Sequence, residues 1–96
     1  MSEMDRERIA SFLDRFVGYA SGATTIGLLA VADRAGLLTW LGEHHSGTAA
    51  DIAAGTGLEQ RYLEEILSGL AAAGAIDYEP DSEIFTLPPE HALFLS

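Results

Sequence analysis

The side chains able to do chemistry in this chain are few, and their neighbours decide what they can do. His44 and His45 stand together in the polar loop GEHHSG. Imidazole binds zinc well, but adjacent positions diverge on any regular element and no third ligand is near, so the pair reads as a solvated loop. GTG (residues 55 to 57) and GLAAAG (residues 69 to 74) have the glycine content of phosphate-cradling turns. Such a turn follows a strand and opens a helix inside a βαβ unit, and neither stretch does so. Ser, His and Asp all occur, without the spacing or local motif of a catalytic triad. There is no cysteine, which removes both thiolate metal sites and disulfides. No catalytic, cofactor-binding or metal-ligating residue is assigned, and the chain alone is expected to be non-catalytic.

Nucleic-acid reading is the next chemistry to weigh. Residues 57 to 85, GLEQRYLEEILSGLAAAGAIDYEPDSEIF, have the outline of a recognition helix followed by a wing. A recognition helix presses Arg, Lys, Asn or Gln onto base edges while other basic groups hold phosphates. Here the solvent face offers Gln60, Arg61, Glu64, Glu65 and Ser68, and the wing adds Asp77, Glu79, Asp81 and Glu83. That stretch holds seven carboxylates and one arginine. Setting carboxylates against phosphates loses hydration and adds repulsion. The whole chain has 15 acids, five arginines, no lysine and a formal charge of -10. Both nucleic acid and anionic membrane surfaces are therefore disfavoured as partners.

Phe16 to Ala32 is a run of 17 uncharged residues, long enough to raise the question of a targeting segment. Glu3, Asp5, Glu7 and Asp14 precede or flank it where a signal peptide wants positive charge. Gly18, Ser21, Gly22, Thr24, Thr25 and Gly27 break it. The expectation is a cytoplasmic chain that is not membrane-bound.

The elements that must position these groups follow from periodicity. Ile9, Phe12, Leu13, Phe16 and Val17 recur every three or four residues, predicting a helix over about 5–19. Ala20 to Gly22 weaken the pattern, and a second helix is expected over about 23–35 with Gly36 as its stop. That second segment is apolar nearly all round, and 96 residues provide too few other elements to wrap it. Another chain or domain is expected to cover it. A short helix with Trp40 as anchor is expected over 37–41. Thr48 and Asp51 have capping-box spacing ahead of a helix over 49–54. Leu63, Ile66, Leu67, Leu70 and Ala71 form the buried stripe of a helix over 60–73. Gly27 and Gly69 are candidate points of close helix approach. Ile76, Tyr78, Phe85 and Leu87 alternate around a Pro80-Asp81-Ser82 turn, which predicts a two-stranded wing over about 76–87. Pro88-Pro89 then opens a further helix over 89–96. The fold class is mostly α: one domain, a winged helix-turn-helix with two extra N-terminal helices and a two-stranded β-wing.

ATTIGLLAVADRAGLL, TAADIAAGTGLEQRYLEEILSGLAAAGAIDY and FTLPPEHALFL occur in this order. Together they resemble the N-terminal winged-helix domain of bacterial class I S-adenosylmethionine-dependent methyltransferases, over about residues 9 to 95. The resemblance implies a domain that mediates homodimerisation and roofs a substrate pocket. Cofactor binding and methyl transfer would lie in a Rossmann-like domain, in cis or in trans, whose residues this sequence does not contain. Phe12, Phe16, Ile26 and Leu29 are the expected dimer anchors, as aromatic and aliphatic clusters carry most binding energy. Phe16, Tyr19 and Thr24 are candidate substrate-lid residues. The competing reading is a small winged-helix transcription regulator.

Overall fold

A single helix, α1 (Arg6–Arg34), occupies the stretch that periodicity divides in two. In this computed structural model, which describes residues 5–96, the helix runs through Ala20 to Gly22 without a break. Glu3, weighed above against a targeting segment, lies outside the described residues. Glycine costs a helix about 1 kcal/mol relative to alanine. That weakens a turn without removing any backbone hydrogen bond. Thr24 and Thr25 also donate their hydroxyls to the carbonyls of Ala20 and Ser21, at 3.1 and 2.9 Å, instead of competing for a turn. Asp5 caps the start, accepting from the amides of Glu7 and Arg8.

Gly36 turns the chain into α2 (Leu37–His44), which leads through His45 to a short strand, β1 (Ser46–Thr48). The helix-turn-helix follows as α3 (Ala49–Thr56) and α4 (Gln60–Ala72). Thr48 and Asp51 form the expected reciprocal capping box, both bonds at 3.1 Å. Glu59 caps α4 by accepting from the amides of Arg61 and Tyr62. At the far end Gly74, with φ of 80°, permits a Schellman closure: Ala75 N–H donates to Leu70 and Gly74 N–H to Ala71. β2 (Asp77–Glu79) and β3 (Ile84–Thr86) make the wing, and α5 (Pro89–Leu95) ends the chain.

The sheet has three strands in the order β1-β3-β2, both pairings antiparallel. The expected wing is present, and β1 adds a strand on its inner side. Sequence reading missed β1 because Ser-Gly-Thr has neither apolar alternation nor length. Leu37, Leu41, Ile52, Leu63, Leu67, Leu70, Ile76 and Leu87 form the fully buried centre, drawn from α2, α3, α4 and the residues flanking the wing strands. From α1 that core takes Ala32 and, in part, Leu28 and Leu29. Gly69 makes room on α4 for α1: a Cβ there would lie 2.5 Å from the Leu28 side chain. Gly27 has no neighbour within 4 Å, so of the two glycines only Gly69 marks contact within the chain.

Candidate functional site

Two surfaces of the described residues differ sharply in chemistry. The first is the helix-turn-helix face. Gln60, Glu64 and Ser68 on α4 face Asp77, Tyr78 and Glu83 of the wing across a groove of about 850 Å³. Tyr78 lies over its cross-strand partner Phe85, ring centres 4.6 Å apart, and forms the apolar floor. Gln60 donates to Glu64 at 3.0 Å, so the side chain best suited to read a base is occupied by a carboxylate. Arg61 is the one arginine between Ala35 and Ser96, against ten carboxylates. The helix and wing have the outline of a duplex reader and the wrong sign of charge.

The second surface is α1. Every residue from Asp5 to Thr24 is exposed. Phe12 is 54% exposed, Phe16 57%, Tyr19 63% and Ile26 67%, so several large apolar side chains of one helix are uncovered together. Only the last turns, through Leu28, Leu29 and Ala32, meet the rest of the domain. The helix therefore projects: the radius of gyration is 17.1 Å, against about 12.5 Å for a compact chain of this length. Of the four expected dimer anchors, Phe12, Phe16 and Ile26 lie on this free surface. Leu29 is packed against the chain's own core, because α1 turns that side toward α4. Phe16 and Tyr19 share a side of α1, whereas Thr24 sits about 140° around the helix from Tyr19, so these three do not converge on one pocket wall.

By length and composition alone α1 could cross a bilayer. Its free uncharged portion is shorter than that. Asp14 and Arg15 bound it on one side and the core-packed Leu28 on the other. Phe16 to Gly27 then spans about 18 Å at 1.5 Å per residue, against a hydrocarbon thickness of about 30 Å.

The remaining chemical motifs have structural employment. His44 stacks on Trp40 at 4.0 Å between ring centres and donates from Nδ1 to the Trp40 carbonyl at 2.9 Å. His45 takes a φ of 71° at the end of α2, and its carbonyl accepts from Leu87 N–H. The His44 imidazole is thus engaged by Trp40, whereas at His45 it is the backbone that is engaged. Gly55 of GTG lies beneath the Trp40 ring, and Gly57 closes α3. GLAAAG is the last turn of α4 and its cap. Open α/β folds that bind nucleotide cofactors place the ligand at the carboxyl ends of parallel strands. The described strands are three residues long and antiparallel, so they provide no such crevice. Sequence reading also missed His91, whose Nδ1 bonds the Ala75 carbonyl at 2.8 Å and pins α5 to the α4–wing turn. Only its place after Pro88-Pro89 hinted that it was not free.

A three-stranded sheet packed on a short helix, a turn and a longer helix, with a β-hairpin after it, defines a winged helix-turn-helix domain. Residues 22–96 match the Rv2258c-like winged HTH domain, and the chain belongs to that family. No curated protein matches the sequence. Among solved structures, the mitomycin 7-O-methyltransferase MmcR is similar over 96% of this chain, with a TM-score of 0.77 and 23% identity. The match occupies 27% of the MmcR chain, so this sequence spans about a quarter of that protein's length. At that identity the likeness is one of fold.

Proposed function

We propose that this domain is the dimerisation and substrate-lid module of an S-adenosylmethionine-dependent methyltransferase, with the chemistry carried by a separate catalytic domain. The observation that carries the reading is the uncovered apolar surface of α1. Ile9, Phe12, Leu13, Phe16, Val17, Tyr19 and Ile26 are all exposed along it, and an extended exposed apolar surface marks an interaction site. The likeness in fold to a methyltransferase supplies the context, and the acidic groove turns the helix-turn-helix away from DNA. Leu93 and Phe94 on α5 are 79% and 83% exposed and form a second apolar surface, suited to a neighbouring domain. The partners are a second copy of the chain and a catalytic domain. Neither nucleic acid nor membrane is a partner, and the setting is the cytoplasm. S-adenosylmethionine belongs to the catalytic domain, and none is bound by this chain.

Sedimentation velocity of the chain at micromolar concentration tests the reading, with a dimer expected. A monomer at those concentrations that binds mixed-sequence duplex DNA at low salt would instead establish the regulator. Labelled S-adenosylmethionine should bind a candidate catalytic domain and not this chain by itself.

A further inference from the structure

The side of α1 that faces away from the domain has a graded size pattern. Leu28, Leu29 and Ala32 fix which side meets the core. On the opposite side, positions three and four apart line up as Ile9, Phe12, Phe16 and Tyr19, then Ala20, Ala23, Gly27 and Ala30. The outer half of the stripe is bulky. The half nearer the domain is small, flanked by Ile26, and a Cβ on Gly27 would touch nothing in the chain.

Charge is graded too. α1 holds four of the five arginines and three carboxylates, a net of +1, while Ala35 to Ser96 has one arginine and ten carboxylates, a net of -9. Among the described helices α1 alone carries no net negative charge, so a second copy meets less repulsion there than over the rest of the chain.

We infer that α1 pairs antiparallel with α1 of a second copy, about a two-fold axis beside Tyr19 and Ala20. Phe12 then lies over the second copy's Gly27, and Phe16 over its Ala23. The large half of each helix fills the small half of the other, as close packing requires. Asp5 of each copy meets Arg34 of the other at both ends of the seam. A parallel pair would set bulk on bulk and leave Ala23, Gly27 and Ala30 facing a gap. It would also bring two bodies of net -9 side by side, whereas antiparallel pairing holds them at opposite ends of the seam. The stripe points away from each body, so the second helix meets no obstruction.

This rests on α1 being a self-association surface, and the test separates the two. The chain has no cysteine, so single thiols report without background, and the stripe positions are outside the core. Ala20→Cys chains should crosslink to one another under oxidation or with a short thiol reagent. Phe12→Cys chains should not, because the two sites lie about 22 Å apart along the seam. An equimolar mixture of Phe12→Cys and Gly27→Cys chains should link across. Sedimentation of the parent chain is read in parallel. A dimer in which Phe12→Cys links to itself means parallel helices, and a dimer with no link at any of these sites means an interface elsewhere. Either result overturns the pairing while leaving dimerisation intact. A monomer, including one captured by lipid vesicles, overturns both.

Discussion

Trp40 shows how a single side chain fixes the start of the helix-turn-helix. Its ring is held between Gly47 of β1 and Gly55 of α3, with His44 stacked on it. A Cβ at Gly55 would overlap the indole, and one at Gly47 would come within 2.9 Å. Alanine at Gly55 would gain about 1 kcal/mol of helix propensity. Overpacking of a rigid ring costs about 1 to 3 kcal/mol, so Gly55→Ala is expected to be destabilising on balance, by about 1 kcal/mol. Urea unfolding followed by tryptophan fluorescence measures it, and a gain in stability would contradict the packing. From sequence Gly55 reads only as part of a turn, because the aromatic that requires it stands fifteen positions earlier.

At the scale of elements, α1 poses a stability problem, since helices in proteins are stabilised mostly by packing and this one is exposed from Asp5 to Thr24. Its free portion carries Gly18, Gly22 and Gly27. Gly18 and Gly22 lie toward the side that faces the domain, and nothing stands within 4 Å of either. Gly22→Ala should raise α1 helicity, by about 1 kcal/mol of propensity, without weakening self-association. Gly27→Leu gains comparable propensity but fills the proposed seat of Phe12, and it should weaken the dimer by tenfold or more, equivalent to about 1.4 kcal/mol. Circular dichroism and sedimentation on the two variants distinguish propensity from interface. Much of this architecture was legible in the residues. The stripe of α4, the Thr48–Asp51 box, the Gly36 stop and the wing alternation each rest on a few neighbouring positions. The unbroken α1 was not, because its glycines and serine look like a boundary and the Thr24 and Thr25 back-bonds that accommodate them leave no periodic trace. The groove between α4 and the wing was legible in its acidity, whereas the outward placement of the α1 stripe needed the contact of Leu28 with Gly69 to fix the helix's rotation.

For the whole molecule the governing quantity is the separation of charge from grease. Two bodies of net -9 repel over a Debye length of about 30 Å at 10 mM salt and about 3 Å at 1 M. Apolar burial along α1 is not screened, and salting-out ions strengthen it. The exposed Asp5–Arg34 pairs proposed at the seam ends contribute at most about 1 kcal/mol each, and salt weakens them. Long-range repulsion involves nine net charges on each body and outweighs them. Self-association should therefore tighten with salt, on the order of tenfold between 10 mM and 1 M. A protein held to phosphates behaves the opposite way, losing affinity steeply as counterions return. Sedimentation equilibrium across that salt range gives the sign directly. A dissociation constant that rises with salt would place ion pairs, and not the apolar stripe of α1, at the centre of the interface.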